Sequence, residues 1–287
     1  LTIGGNLSAI TDDNSGVVSL GTLAVDGTIA LTTDGTGDAL VVNDASLTFA
    51  ASTVGQDLTA TATTGNIIDN ATVTVGRNLA VTATADDATI NLGTLAVDGT
   101  VALTTNGTNG NVTLVNDVGL AFAASTVDGT LSATATTGNM TDSGALTISG
   151  TSAFITSAND ATIALDTTTN AFTGAITLTT NDSDGAVAHA TIDGGTTALV
   201  IAASTVDGNL TLTSGGAITD GGTLTIDGNL SATTDVDDIT INLGTLAVDG
   251  TIALTTNGTN GNVTLVNDAG LAFAASTVDG TLSATAT

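Results

Sequence analysis

Residues 21–33 read GTLAVDGTIALTT, and the parity of this stretch decides the fold. Apolar residues alternate with Thr and Ala, the period of a strand rather than a helix. The central Asp26-Gly27 also suits a two-residue hairpin turn. A hairpin, however, would place Val25 opposite Thr28 and Leu23 opposite Ala30. Directly opposed residues share a face, so Leu23 and Val25 would lie on one face and Ile29 and Leu31 on the other. Read as one bent strand, Leu23, Val25, Gly27, Ile29 and Leu31 all point the same way. The same holds for Leu95, Val97, Gly99, Val101 and Leu103, and for Leu224, Ile226, Gly228 and Leu230. The strand turns a corner at the glycine without changing its inward face, which describes one coil of a solenoid.

The corner recurs. Its central position falls at Gly5, Gly27, Gln56, Arg77, Gly99, Gly129, Gly150, Gly174, Gly208, Gly228, Gly250 and Gly280. These positions predict about 12 coils of 20–34 residues. Gln56 and Arg77 at two of them require a corner that reaches water. Glycine at the rest suggests backbone angles that other residues avoid. A longer unit of about 72–76 residues overlies the coils. Residues 91–136 recur at 242–287 with two changes, Val101 against Ile252 and Val118 against Ala269. The long repeats run about 1–19 (partial), 20–91, 92–165, 166–242 and 243–287 (partial). They predict one continuous solenoid over 1–287, cut from a longer array. At the ladder spacing of about 4.8 Å, 12 coils make a rod roughly 55–60 Å long. In the 30-residue interval ending at Asp128, Leu120, Phe122 and Ala124 are even-numbered whereas Val127, Leu131 and Ala133 are odd. An extra bend at Ser125-Thr126 accounts for the switch. Phe49, Phe122, Ile201 and Phe273 hold equivalent sites and should fill the widest part of the core.

Composition narrows function. The 287 residues carry 28 acids, all Asp, against one Arg and no Lys, for a net charge of −27. Nucleic acid and anionic membrane surfaces are excluded as partners, because both need clustered cations. No stretch approaches the roughly 20 apolar residues of a membrane helix. No Cys is present, so no disulfide or thiolate metal site forms. Catalysis has little to work with. Arg77 and His189 stand in different repeats, Trp and Tyr are absent, and the adjacent pairs Asp86-Asp87 and Asp237-Asp238 should point to opposite faces of a strand. No catalytic residue is assigned and no enzyme is expected.

The chemical expectation is calcium. Aligning the coils places Asp207, Asp227, Asp249 and Asp279 at one corner in four successive coils, with Asp98 and Asp128 as a shorter pair. Stacked about 5 Å apart, adjacent carboxylates repel by about 0.8 kcal/mol in water. A hard divalent cation with oxygen ligands would relieve that repulsion. These six Asp are the candidate metal residues, and Ca2+ is the candidate cofactor.

Repeats such as GTLAVDGTIALTT, rich in Thr and free of Lys, resemble the β-strand repeats of bacterial surface exoproteins, in particular the filamentous-haemagglutinin-like adhesins of the two-partner secretion type. They are also similar to giant surface proteins of aquatic bacteria. The resemblance covers all 287 residues and its motifs are generic. It implies a right-handed parallel β-helix, secretion and a cell-surface or matrix role, and it brings no catalytic residues. The expected function is a structural stalk, sheath or filament that associates with itself or with neighbouring repeats. The alternatives are an adhesin binding a glycan or receptor along the solenoid side, with Asn170–Gly195 as the most divergent stretch, and a polysaccharide-degrading β-helix enzyme.

Overall fold

The computed structural model describes every residue except Asp184 and Ala186. The described residues form strands and turns without helices, and the fold is a parallel β-solenoid of about 13 turns, consistent with a right-handed parallel β-helix. The chain divides into two compact units, residues 1–136 and 137–287.

In residues 1–136 two parallel sheets face one another. One stacks Val18–Val25, Ala39–Asn43, Leu58–Ala62, Leu79–Asp86 and Thr100–Asn106 in that order. The other stacks Leu7–Ile10, Thr28–Thr32, the pair Leu47–Phe49 and Ser52–Val54, the pair Ile67–Asp69 and Val73–Val75, then Ile90–Val97, Val112–Asn116 and Leu131–Ala135. The chain crosses between sheets at every corner, so each sheet gains one row per turn. Residues 137–287 are built the same way. One sheet runs from Met140–Asp142 through Ile163–Leu165, Ala190–Asp193, Leu210–Ser214 and Leu230–Asp237 to Ile252–Asn257. Its partner runs from Ser152–Asn159 through Ile176–Asn181, Ser204–Val206, Leu224–Ile226, Ile241–Val248 and Val263–Asn267 to Leu282–Ala286.

The parity reading holds. Leu23, Val25, Ile29 and Leu31 are all at most 4% exposed. Turn length is more even than the corner spacing suggests. Leu114 pairs with Ala133 and Ile163 with Ala190, so turns span 19 to 27 residues rather than 20 to 34. The reason is that an interval of 30 residues is about one and a half turns. Asp98 leads from Ile90–Val97 across to Thr100–Asn106, whereas Asp128 leads back from Ser125–Val127 to Leu131–Ala135. The two corners are opposite ends of the cross-section.

The long repeat consequently closes after three and a half turns. The segment at 21–28 lies in the sheet begun by Val18–Val25. Three rows later that sheet reaches Leu79–Asp86, and the next copy, at 93–100, enters the facing sheet as Ile90–Val97. Successive copies present the same side chains to opposite faces.

Two further corrections concern the core. The extra bend lies at Ala123-Ala124, two residues before the expected site, because Phe122 and Ser125 both point inward and Ala124 is exposed. The Ser125 hydroxyl accepts from Leu103 N (3.1 Å) and donates to Ala123 O (2.9 Å), replacing the ladder bonds broken by the bend. Ser52 and Ser204 do the same beside Leu31 and Leu178. Phe49, Phe122 and Ile201 are fully buried, but Phe273 is 44% exposed. Its turn bridges to the preceding row at Ile252 and Thr255, so it is covered from that side.

A buried amide completes each wide corner. Asn116 Oδ1 accepts from Val97 N (2.9 Å), while its Nδ2 donates to Val97 O (3.0 Å) and Gly119 O (2.7 Å). Asn43 and Asn267 repeat this geometry on Val25 and Val248. A side-chain amide carries the donor and acceptor of a peptide group, so it continues the ladder where the backbone departs.

Candidate functional site

Three of the expected carboxylates stack. Val206 pairs with Ile226 and Ile226 with Val248, which sets Asp207, Asp227 and Asp249 one above another in residues 137–287. Their corner is held by Gly228 N donating to Gly208 O and Gly250 N to Gly228 O, both 3.0 Å. The glycines are there for close approach rather than for unusual angles. A Cβ on Gly250 would lie 2.4 Å from Gly228 O, and its φ is not positive. Asn side chains finish the corner: Asn209 Oδ1 accepts from Asn229 N, and Asn229 Oδ1 from Thr251 N.

Asp279 is not on this column. It follows the stretch that bridges to Thr255, its amide donates to Thr256 Oγ1 (3.3 Å), and it leads into Leu282–Ala286 at the opposite corner. Asp98 and Asp128 are separated in the same way and form no pair, for the half-turn reason given above. Sequence reading missed Asp182. Its amide donates to Asp207 Oδ2 (2.9 Å), and its charge reaches Asp227. It lacks the Val-Asp-Gly signature, so no coil alignment finds it. It belongs to the divergent stretch 170–195, in which Asp184 and Ala186 lie outside the described residues. Among the described residues no three carboxylate or imidazole groups converge on a point that one metal ion could occupy. The column is a row of charges spaced by the turn rise.

Burial, reinforced by Asp207, Asp249 and Asp182, raises the Asp227 carboxyl above its usual range. A raised acid favours the folded state below its unfolded value and loses that contribution as pH rises through the folded value. Asp227→Asn is therefore expected to stabilise the protein at pH 7 by a few tenths of a kcal/mol, since the site is wet and screened. The gain should disappear at pH 3 and shrink in 1 M NaCl, which screens the neighbouring carboxylates; a thermal melt series that shows destabilisation at pH 7 and low salt contradicts repulsion within the column.

The two isolated basic residues serve the stacking of turns. Arg77 projects into solvent and forms a bidentate pair with Asp57 one turn away (Nε to Oδ1 2.8 Å). The guanidinium holds the Asp57 carboxyl below its usual range. His189 stands where other corners carry Asn, and its Nδ1 accepts from Asn209 N (2.9 Å). The adjacent acids likewise bind backbone. Asp87 and Asp238 take left-handed angles (φ 62° each) just past a strand end and accept from Asn109 N, and from Thr259 N and Asn260 N.

A recurring concavity lies at the Leu-Gly-Thr-Leu segments 20–23, 92–95 and 243–246. Ladder register shifts between Leu92 and Leu95, and likewise between Leu243 and Leu246 and between Leu20 and Leu23, the signature of a β-bulge. The bulge is clamped from the preceding turn: Asp69 accepts from Gly93 N (3.0 Å), Thr94 N (2.8 Å) and Thr94 Oγ1 (2.9 Å). Asp220 does the same for Gly244 and Thr245. Beside each bulge opens a groove. That at Gly93 is lined by Val115, Asp117 and Thr136 beside the buried Leu95. That at Gly244 has Leu246, Val266, Asp268 and Thr287 in the same places, and that at Gly21 has Leu23, Val42, Asp44 and Thr63.

Residues 109–179 and 185–242 match a family of repeats of unknown function (DUF5649). No curated protein and no solved structure matches the chain. The matched repeats include the buried Asn116, the His189 cap and the stacked Asp207 and Asp227, so the match falls on residues that bind one turn to the next.

Proposed function

We propose that this chain is a structural segment, a stalk, sheath or filament, of a giant secreted bacterial cell-surface or extracellular-matrix protein, and that its role is mechanical rather than catalytic. The observation that carries the reading is how the polar side chains are used. The conspicuous ones, Asn116, Asp69, Ser125, Arg77 and His189, bond the turn above or below. A chain that spends its chemistry on stacking is suited to holding length. In this reading its partners are further repeats of the same kind. The filamentous-haemagglutinin-like resemblance supports the extracellular placement. Calcium enters only as a mobile counterion of the acidic corners, through the repulsion at Asp227.

The test is a length series. Inserting one further long repeat should lengthen the particle in small-angle scattering by about 17 Å, three and a half turns at the ladder spacing. A particle that grows in girth instead, or collapses to a sphere, overturns the reading.

A further inference from the structure

The bulge grooves carry an inference that stacking does not explain. Gly93 and Gly244 have no positive φ, and nothing lies within 4 Å of where their Cβ would be. Crowding and backbone angle are the two structural reasons for glycine at a fixed place, and neither applies. The degenerate copy shows that a side chain is tolerated. There Asp142 accepts from Asp166 N and Thr167 N as Asp69 does from Gly93 N and Thr94 N, so Asp166 fills the glycine position. What glycine does at 93 and 244 is leave the groove open.

The groove's size and chemistry select its occupant. Its volume is about 240 Å3 at Gly93 and Gly244 and about 330 Å3 at Gly21, where Leu1 and Thr2 also line it, at the small end of the roughly 300–1,000 Å3 range of small-ligand sites. That suits a single side chain. The apolar contact is the half-buried Val115, beside the core-facing Leu95, and an exposed carboxylate, Asp117, lies in the same lining with Thr136. An alkyl stem on an apolar wall with a cationic head at a carboxylate is how lysine lies on a protein surface. The chain has no Lys and its one Arg is paired with Asp57, so the cation comes from another molecule. Aromatic platforms, which a sugar would favour, are absent from a sequence without Trp or Tyr.

We propose that the grooves beside Gly21, Gly93 and Gly244 are docking sites for lysine side chains of a basic polypeptide. Because the long repeat closes on a half turn, the Gly21 and Gly93 grooves open on opposite sheets, and one solenoid segment presents such sites to two sides.

Pentalysine is titrated into the 15N-labelled chain. The amides of Gly93, Thr94 and Asp117, and of Gly244, Thr245 and Asp268, are expected to shift together. Gly21→Leu with Gly93→Leu and Gly244→Leu should weaken binding at least tenfold while the thermal melt stays unchanged. A second variant, Asp44→Asn with Asp117→Asn and Asp268→Asn, removes the groove charge without touching the bulge and should weaken it as much. A charge-matched control, Asp12→Asn with Asp26→Asn and Asp237→Asn, should change affinity less than twofold. The proposal is overturned if the control loses as much as the second variant, if the leucine variant binds like the parent, or if a neutral oligosaccharide shifts these amides and pentalysine does not.

Discussion

Asn116→Ala is expected to cost about 3–5 kcal/mol and to lower the urea midpoint of residues 1–136 sharply. The side chain is fully buried and serves three backbone groups, Val97 N–H, Val97 C=O and Gly119 C=O. Alanine supplies neither donor nor acceptor, and the pocket between stacked turns keeps water out. Each orphaned buried group costs roughly 1–3 kcal/mol, so the sum far exceeds the roughly 1 kcal/mol of an ordinary hydrogen bond. Asn106→Ala is the control. Its amide donates to Thr84 O at an exposed site (2.9 Å), where water replaces the lost partner, and less than about 1 kcal/mol is expected. Equal losses at the two positions would mean that the buried amide is not what continues the ladder across the corner.

Phe122→Ala should be comparably severe, about 3–5 kcal/mol, the usual range for deleting a buried ring. The ring is 0% exposed and sits between the two sheets at the point where the chain bends. A solenoid core is one row thick, so there is no second layer to collapse into the space. Phe273 provides a strict comparison. It occupies the equivalent place in a nearly identical stretch, yet it is 44% exposed. Phe273→Ala should cost less than Phe122→Ala, because part of that ring's burial is missing. Chemical denaturation of both variants measures the difference, and a similar loss at Phe122 and Phe273 would contradict the burial assigned to them. In a stack held by nearest-neighbour contacts each loss is felt first by adjoining turns. Hydrogen exchange should therefore show the Phe122→Ala damage centred on Thr100–Asn106, the strand that pairs with Leu120–Phe122.

Legibility tracked the range of the interaction. The inward set Leu23, Val25, Ile29 and Leu31 was readable because side-chain direction alternates strictly along a strand. The exposed corner at Arg77 was readable because a guanidinium without a partner in the core must meet water. The carboxylate column was half readable. Asp207, Asp227 and Asp249 are separated by whole turns and do stack, whereas Asp128 and Asp279 carry Val-Asp-Gly to the opposite corner, so Asp128 does not pair with Asp98 and Asp279 does not join the column. Identical local sequence marks a corner without saying which one. The grooves were not readable at all, since nothing in Leu-Gly-Thr-Leu distinguishes a bulge from an ordinary strand.

By itself the sequence determined that this chain is all-β, that its coils stack in parallel, and that a unit of about 73 residues repeats. Each follows from alternation and recurrence along the chain, which are local properties. Only the tertiary structure decided that the long repeat spans three and a half turns. It also decided which acids share a corner, and that Asn116 lies inside rather than on the surface. These depend on how many residues each turn consumes before the chain returns to the same sheet, and that number is set by bends and bulges formed between neighbouring turns. A one-residue bend at Ala123-Ala124 reverses which side chains face the core, and the cost of leaving Val97 without a partner, felt only once the next turn is in place, selects the amide at Asn116.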